Sequence, residues 1–116
     1  MKVILVVDDD ADVRHMLTRL LASHGMAAEA AGSTEETLKI LAAKRLDAVL
    51  LDVTLGLENG WETLRHIRET SAVPVGMMSG SAMDEDARKD AVAMGAQGVL
   101  QKPFEPQALL DSLAGI

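Results

Sequence analysis

Three aspartates stand in succession at Asp8, Asp9 and Asp10, directly after the apolar run Val3 to Val7, and a further carboxylate follows at Asp12. Two carboxylates about 4 Å apart repel by roughly 4 kcal/mol at a near-surface dielectric, so a cluster of this kind calls for a cation to relieve it. Other apolar runs end in polar residues of their own: "DAVLLDV" carries Asp52, "VPVGMMS" ends in Ser79 and "GVLQK" ends in Lys102. Carboxylates, a hydroxyl and an ammonium together could hold a hard cation and a phosphate. Oxygen ligands at this density suit Mg2+, which keeps several waters and commonly bridges carboxylate to phosphate.

Each residue also has a plainer role. Asp10 or Asp12 can cap the helix that follows, since aspartate is favoured there. Asp8 and Asp9 could be turn residues, but a cap needs one carboxylate, and the remaining like charges favour a metal pair. Asp52 alone could end a turn, Ser79 alone could satisfy a backbone group, and Lys102 before Pro103 could be a solvated lysine. Their joint arrival at one edge of a fold is what gives them chemical meaning.

The elements that would bring them there alternate. Val3 to Val7 is continuous and β-branched, the pattern of a strand covered on both faces. Val13, Met16, Leu17, Leu20, Leu21 and His24 then recur at helical spacing, with Gly25 at the C-terminal cap position. "MAAEAAG" is a weak second strand, required because a helix follows it. That helix opens with Ser33 and Glu36 as a capping box and carries Leu38, Leu41 and Ala42 on one face. "DAVLLDV" is the third strand, and Asn59-Gly60 lies in a loop before the helix "WETLRHIRET", whose Trp61, Leu64 and Ile67 should face inward. "VPVGMMS", the acidic-capped helix "DEDARKDAVAMGA", "GVLQK" and "EPQALLDSLAGI" complete the series. Alternation with fully apolar strands predicts an α/β fold, a parallel sheet with helices on both faces. In such a sheet ligands bind beyond the carboxyl ends of the strands, where every candidate residue falls.

Composition narrows the function classes. With 116 residues the chain is expected to form a single domain, residues 1–116, with no effector domain. A formal charge of −7 argues against direct binding to nucleic acid or an anionic membrane. Cysteine is absent, which excludes disulfides, thiol catalysis and cysteine-ligated zinc. The run after Met1 is too short for a signal sequence and ends in aspartates, and no stretch approaches membrane-spanning length, so a soluble cytoplasmic protein is expected. His15, His24 and His66 lack ligand spacing, and Met77 and Met78 read as core filler.

Four motifs, "ILVVDDD" followed by "ADVR", "AVLLDVTLGLENGWE", "VPVGMMSGSA" and "GAQGVLQKPF", appear in order along the chain. Together they resemble the receiver domain of two-component response regulators over the whole length. The resemblance implies a flavodoxin-like, doubly wound sheet of five parallel strands in the order 2-1-3-4-5. It implies that Asp52 is a phosphoacceptor served by a histidine kinase or a histidine phosphotransfer protein, with an unknown downstream effector. It also implies that the chain catalyses only its own phosphorylation and dephosphorylation. By the same resemblance Asp9 and Asp52 are direct Mg2+ ligands, with the backbone carbonyl of Thr54 as a third and Asp8 acting through water; Mn2+ can substitute. Ser79 is similar to the family's switch hydroxyl and Lys102 to the lysine that pairs with the phosphoryl group, and the Lys102-Pro103 bond is typically cis in the family. Two departures stand out. Gly56 occupies a position usually held by proline, so this loop should be less rigid, and Val99 occupies one usually held by tyrosine or phenylalanine, so no ring on that strand can report phosphorylation.

Rival chemistries fit poorly. A haloacid-dehalogenase-type phosphatase needs an aspartate two residues after its nucleophile and a threonine or valine two further on, whereas Asp8 is followed by Asp10 and Asp12, and Asp52 by Thr54. An EF-hand starting at Asp8 would place Val13 at the glycine position and Arg19 at the bidentate position. A receiver fold that is never phosphorylated and serves as a protein-binding module is the alternative from a different class.

Overall fold

Residues 1–80, 84–102 and 105–114 are described in a computed structural model. The Lys102-Pro103 bond, the middle of the loop after Ser79 and the last two residues lie outside the described residues.

Apolar runs become strands and capped segments become helices. In chain order these are β1 (Val3–Val7), α1 (Ala11–Ser23), β2 (Ala27–Ala31), α2 (Thr34–Ala43), β3 (Ala48–Asp52), β4 (Thr54–Leu55), β5 (Glu58–Asn59), α3 (Gly60–Thr70), β6 (Val75–Ser79), α4 (Glu85–Ala93), β7 (Ala96–Gln101) and α5 (Pro106–Ala114). Five strands pair in parallel in the order β2-β1-β3-β6-β7. This is the flavodoxin-like 2-1-3-4-5 order, displaced in numbering by a small antiparallel hairpin, β4–β5.

Side chains alternate between the two faces of a strand, so a sheet covered on both sides needs apolar residues at every position. Leu51, Val75 and Met77 meet Leu64 and Ile67 of α3 on one face, while Leu50 and Met78 meet Leu17 and Leu21 of α1 and Leu109 and Leu113 of α5 on the other. Each such side chain contributes about 1.5–3 kcal/mol on burial. Met77 and Met78, fully buried on opposite faces, are core filler as expected.

The helices start where their caps say. Asp10, not Asp12, caps α1, accepting from the Asp12 N–H at 2.9 Å. Ser33 caps α2 through the Glu36 N–H at 3.2 Å, and Asn59 caps α3 through the Trp61 N–H at 2.9 Å. Gly25 ends α1 at φ +79°, a conformation that favours glycine.

Three expectations are corrected. The apolar stripe of α1 centres on Leu17 and Leu21 with Val13 and Leu20 beside them, which turns Met16 and His24 to the exposed side. On α2, Thr37 is buried and Ala42 is exposed. Thr37 can sit inside because its hydroxyl donates to the Ser33 carbonyl at 2.8 Å, leaving no unpaired polar group. The segment after Asp52 is not an open loop but the β4–β5 hairpin, turning through Gly56 at φ +58°, which proline cannot adopt.

Candidate functional site

The carboxyl ends of β1, β3 and β7 converge on one acidic pocket. Asp8 follows β1, and its N–H extends the pairing with β2 by donating to the Ala31 carbonyl at 3.1 Å. Its carboxylate is held at both oxygens: Oδ1 accepts from the Asp10 N–H at 3.0 Å and Oδ2 from Lys102 Nζ at 2.7 Å. Asp52 is the last residue of β3, with Oδ1 accepting from the Thr54 N–H at 2.9 Å and Oδ2 from Lys102 Nζ at 3.0 Å. Lys102 itself is aimed by its backbone, since its N–H donates to the Ser79 carbonyl at 2.6 Å. One carboxylate oxygen from each of Asp8, Asp9 and Asp52 lies within 4.8 Å of the others.

The charges do not balance. Three carboxylates face one ammonium, leaving two negative charges in a site where Asp8 and Asp52 are buried. Burial pushes the Asp52 carboxyl above the usual carboxylate range and the neighbouring Asp8 charge adds to this, while the Thr54 N–H and Lys102 pull the other way without cancelling it. Burial opposes the charge on Lys102, but hydrogen bonds to Asp8 and Asp52 and their charges outweigh it, so its ammonium form is held more firmly than usual. The Lys102 shift reflects the negative charge around it, whereas the Asp52 shift comes mainly from burial. The donor set, hard carboxylate oxygens with a net deficit of two positive charges, fits a divalent cation.

Glycines let the surrounding chain close in. A Cβ on Gly60 would lie 2.2 Å from the Asp52 carbonyl oxygen and 2.7 Å from that of Val53, so only glycine allows α3 to start against the end of β3. The contact is fixed by the Gly60 N–H donating to Val53 at 2.7 Å. On the opposite side Gly56 lies against Asp9, where a Cβ would sit 3.4 Å from its Oδ2.

Asp8, Asp9, Asp52, Thr54 and Lys102 thus line one pocket of about 320 Å³, as their sequence positions suggested. Ser79 is buried at the same edge, one residue beyond Met78, the strand partner of Asp52, but is not among the residues lining that pocket. Asp10, expected at this edge, also lines it, as do Val13 and Gly80, and Arg14 donates to the Asp8 carbonyl at 2.7 Å; the last three were not expected. A basic residue one turn into a helix after an acidic cluster was the available signal for Arg14.

A doubly wound parallel sheet with an acidic, lysine-bridged pocket at its carboxyl edge defines a flavodoxin-like α/β protein with an acidic cluster that fits a divalent metal. Within that class the chain belongs to the response regulator receiver domain family, whose profile matches residues 4–114. It is 37% identical over 116 residues to a transcriptional regulatory protein CpxR homolog of Haemophilus influenzae, covering 100% of this chain and 50% of that protein. The chain spans about half the length of the curated relatives it matches. Its fold matches chemotaxis protein CheY4 of Vibrio cholerae with a TM-score of 0.92 at 29% identity, over 100% of this chain and 98% of that one. A response regulator of Burkholderia pseudomallei, solved with a phosphorylated aspartic acid, calcium ion and citrate, matches with a TM-score of 0.89 at 26% identity, over 97% of this chain and 66% of that one. Among the described residues no helix is long and apolar enough to cross a membrane.

Proposed function

We propose that this domain accepts a phosphoryl group on Asp52 from a phosphohistidine of a histidine kinase or histidine phosphotransfer protein, and that the phosphorylated form signals to a downstream effector. The observation that carries this reading is the buried Asp52 carboxylate, strand-end and lysine-bridged, sharing its pocket with Asp8 and Asp9. The phosphorylated aspartic acid and calcium ion of the Burkholderia pseudomallei relative support it.

In the proposed reaction a carboxylate oxygen of Asp52 attacks phosphorus, the P–N bond of the phosphohistidine breaks, and its electron pair returns to the imidazole nitrogen, which a proton neutralises. Each Asp52 oxygen accepts a single hydrogen bond among the described residues, so lone pairs remain for attack. The Thr54 N–H and Lys102 fix the carboxylate plane, an arrangement suited to phosphoryl transfer, where positioning and charge stabilisation do most of the work. Lys102 supplies positive charge for the phosphoryl oxygens, and the Ser79 hydroxyl at the same edge is the expected switch group. Asp9 and Asp52, the backbone carbonyl of Thr54, and Asp8 through water would hold Mg2+, or Mn2+ in its place. When bound, the cation neutralises charge on the equatorial phosphoryl oxygens.

Intact-mass measurement after incubation with acetyl phosphate tests the assignment. Wild type should gain one phosphoryl group in Mg2+ or Mn2+ and none in a chelator, and Asp52→Asn should gain none. Equal modification of both proteins would refute Asp52, and an unmodified wild type would favour a pure binding module.

A further inference from the structure

Asp9 is the exposed member of the carboxylate trio, and no hydrogen bond to its side chain is present among the described residues. Its direction is therefore set by its backbone, and that backbone is held from beneath. Arg14, one turn into α1, folds back so that Nη1 donates to the Asp8 carbonyl at 2.7 Å. That carbonyl belongs to the peptide plane joining Asp8 to Asp9. Tilting the plane would swing Asp9 away from its partners while leaving the Asp8 side chain tied to Lys102 and the Asp10 N–H. The guanidinium lies over Gly32, just after β2, where a Cβ would come within 3.0 Å of Nη1. The absence of a side chain at residue 32 is what gives the planar fork its room.

Resting on the metal reading above, we infer that Arg14 is a positioning residue for the divalent cation: it touches no ligand oxygen of the trio and acts by orienting the peptide that aims Asp9. Its charge works in the opposite sense. A cation close to the pocket repels a dication, so simple electrostatics says that removing Arg14 tightens metal binding, and positioning says that it loosens it. The two effects are separable because lysine keeps the charge but loses the fork, and glutamine keeps a donor but loses the charge.

The experiment is titration of the full chain with Mg2+ alone, followed by Trp61 fluorescence and by calorimetry, for wild type, Arg14→Lys, Arg14→Gln and Asp9→Ala, below the unfolding transition of each. Groups that orient metal ligands typically change affinity by about tenfold or more. Arg14→Lys and Arg14→Gln are both expected to weaken Mg2+ binding by about that factor. A structural role alone would lower the melting temperature and leave the Mg2+ affinity of the folded protein unchanged, so affinity at wild-type level in both variants overturns the inference. Tighter binding by Arg14→Gln with Arg14→Lys at wild-type level also overturns it, in favour of charge alone. A wild type with no Mg2+ response, matching Asp9→Ala, would instead bring down the metal reading and the inference together.

Discussion

Gly76 leaves a hole in the sheet that a single methyl should partly fill. It is the second residue of β6, beside Leu50 of β3 and opposite Gly98 of β7, so two neighbouring strands lack side chains on the face covered by α5. A cavity of about 220 Å³ results, bounded by Ala48, Leu50, Leu100 and Leu113. A Cβ at residue 76 would meet only Leu50 Cδ2, at 3.6 Å, an ordinary contact, and its φ is not in the left-handed region. Gly76→Ala should therefore stabilise the domain: about 0.5–1 kcal/mol from the backbone freedom that glycine loses on folding, and up to ~0.8 kcal/mol from the methyl, reduced because the position is half-buried. The sum is of order 1 kcal/mol, or roughly 4 °C in Tm for a domain of this size. Urea unfolding should show a higher midpoint at unchanged m. Gly98→Ala, whose Cβ meets nothing within 4 Å, should give only the backbone share. An unchanged or lowered Tm for Gly76→Ala would mean that strand β6 needs its glycine, and the cavity reasoning would be wrong.

Asp52 should cost the metal-free domain stability at neutral pH. Because burial raises its folded pKa, the folded state holds a proton more readily than the unfolded chain; this stabilisation is present below the ordinary carboxylate range and disappears as pH rises through the raised value. Asp52→Asn should thus melt higher than wild type at pH 7 in chelator, by a margin that shrinks on acidification, and a lower Tm for the variant at pH 7 would contradict the burial argument. Val99 is half-buried on β7 against the core, so no aromatic ring is available there to swing. Val99→Ala should leave both Asp52 modification and the amide shifts of Ser79, Gly80 and Asp84 to Asp86 on beryllofluoride binding nearly intact; loss of those shifts with Asp52 still modified would show a strand-seven switch.

Much of the molecule was legible in local patterns. The β-branched run Val3–Val7 and the run before Asp52 declared buried strands because only a sheet covered on both faces needs apolar residues at every position. Asp10, Ser33 and Gly25 marked helix ends because capping is settled within a few residues of chain. The arrival of Asp8, Asp9, Asp52 and Lys102 at one edge followed from strand direction alone, since all parallel strands end on the same side. Ala42 and Met16 were misplaced because a helical stripe read from sequence has no partner to centre it; the packing of sheet against helix buried Thr37 on α2 and kept Leu17 but not Met16 on α1.

What only the tertiary structure decided are contacts between residues far apart in the chain. Lys102 bridging both Asp8 and Asp52, Arg14 resting on the bare backbone of Gly32, and Gly60 closing on the carbonyl of Asp52 each depend on how two elements approach, not on what either one is. Local sequence sets which elements form because their periodicity and caps are short-range. The angle and distance at which they pack come from burying both faces of the sheet at once, and the direction of Asp9 within its pocket is fixed only there.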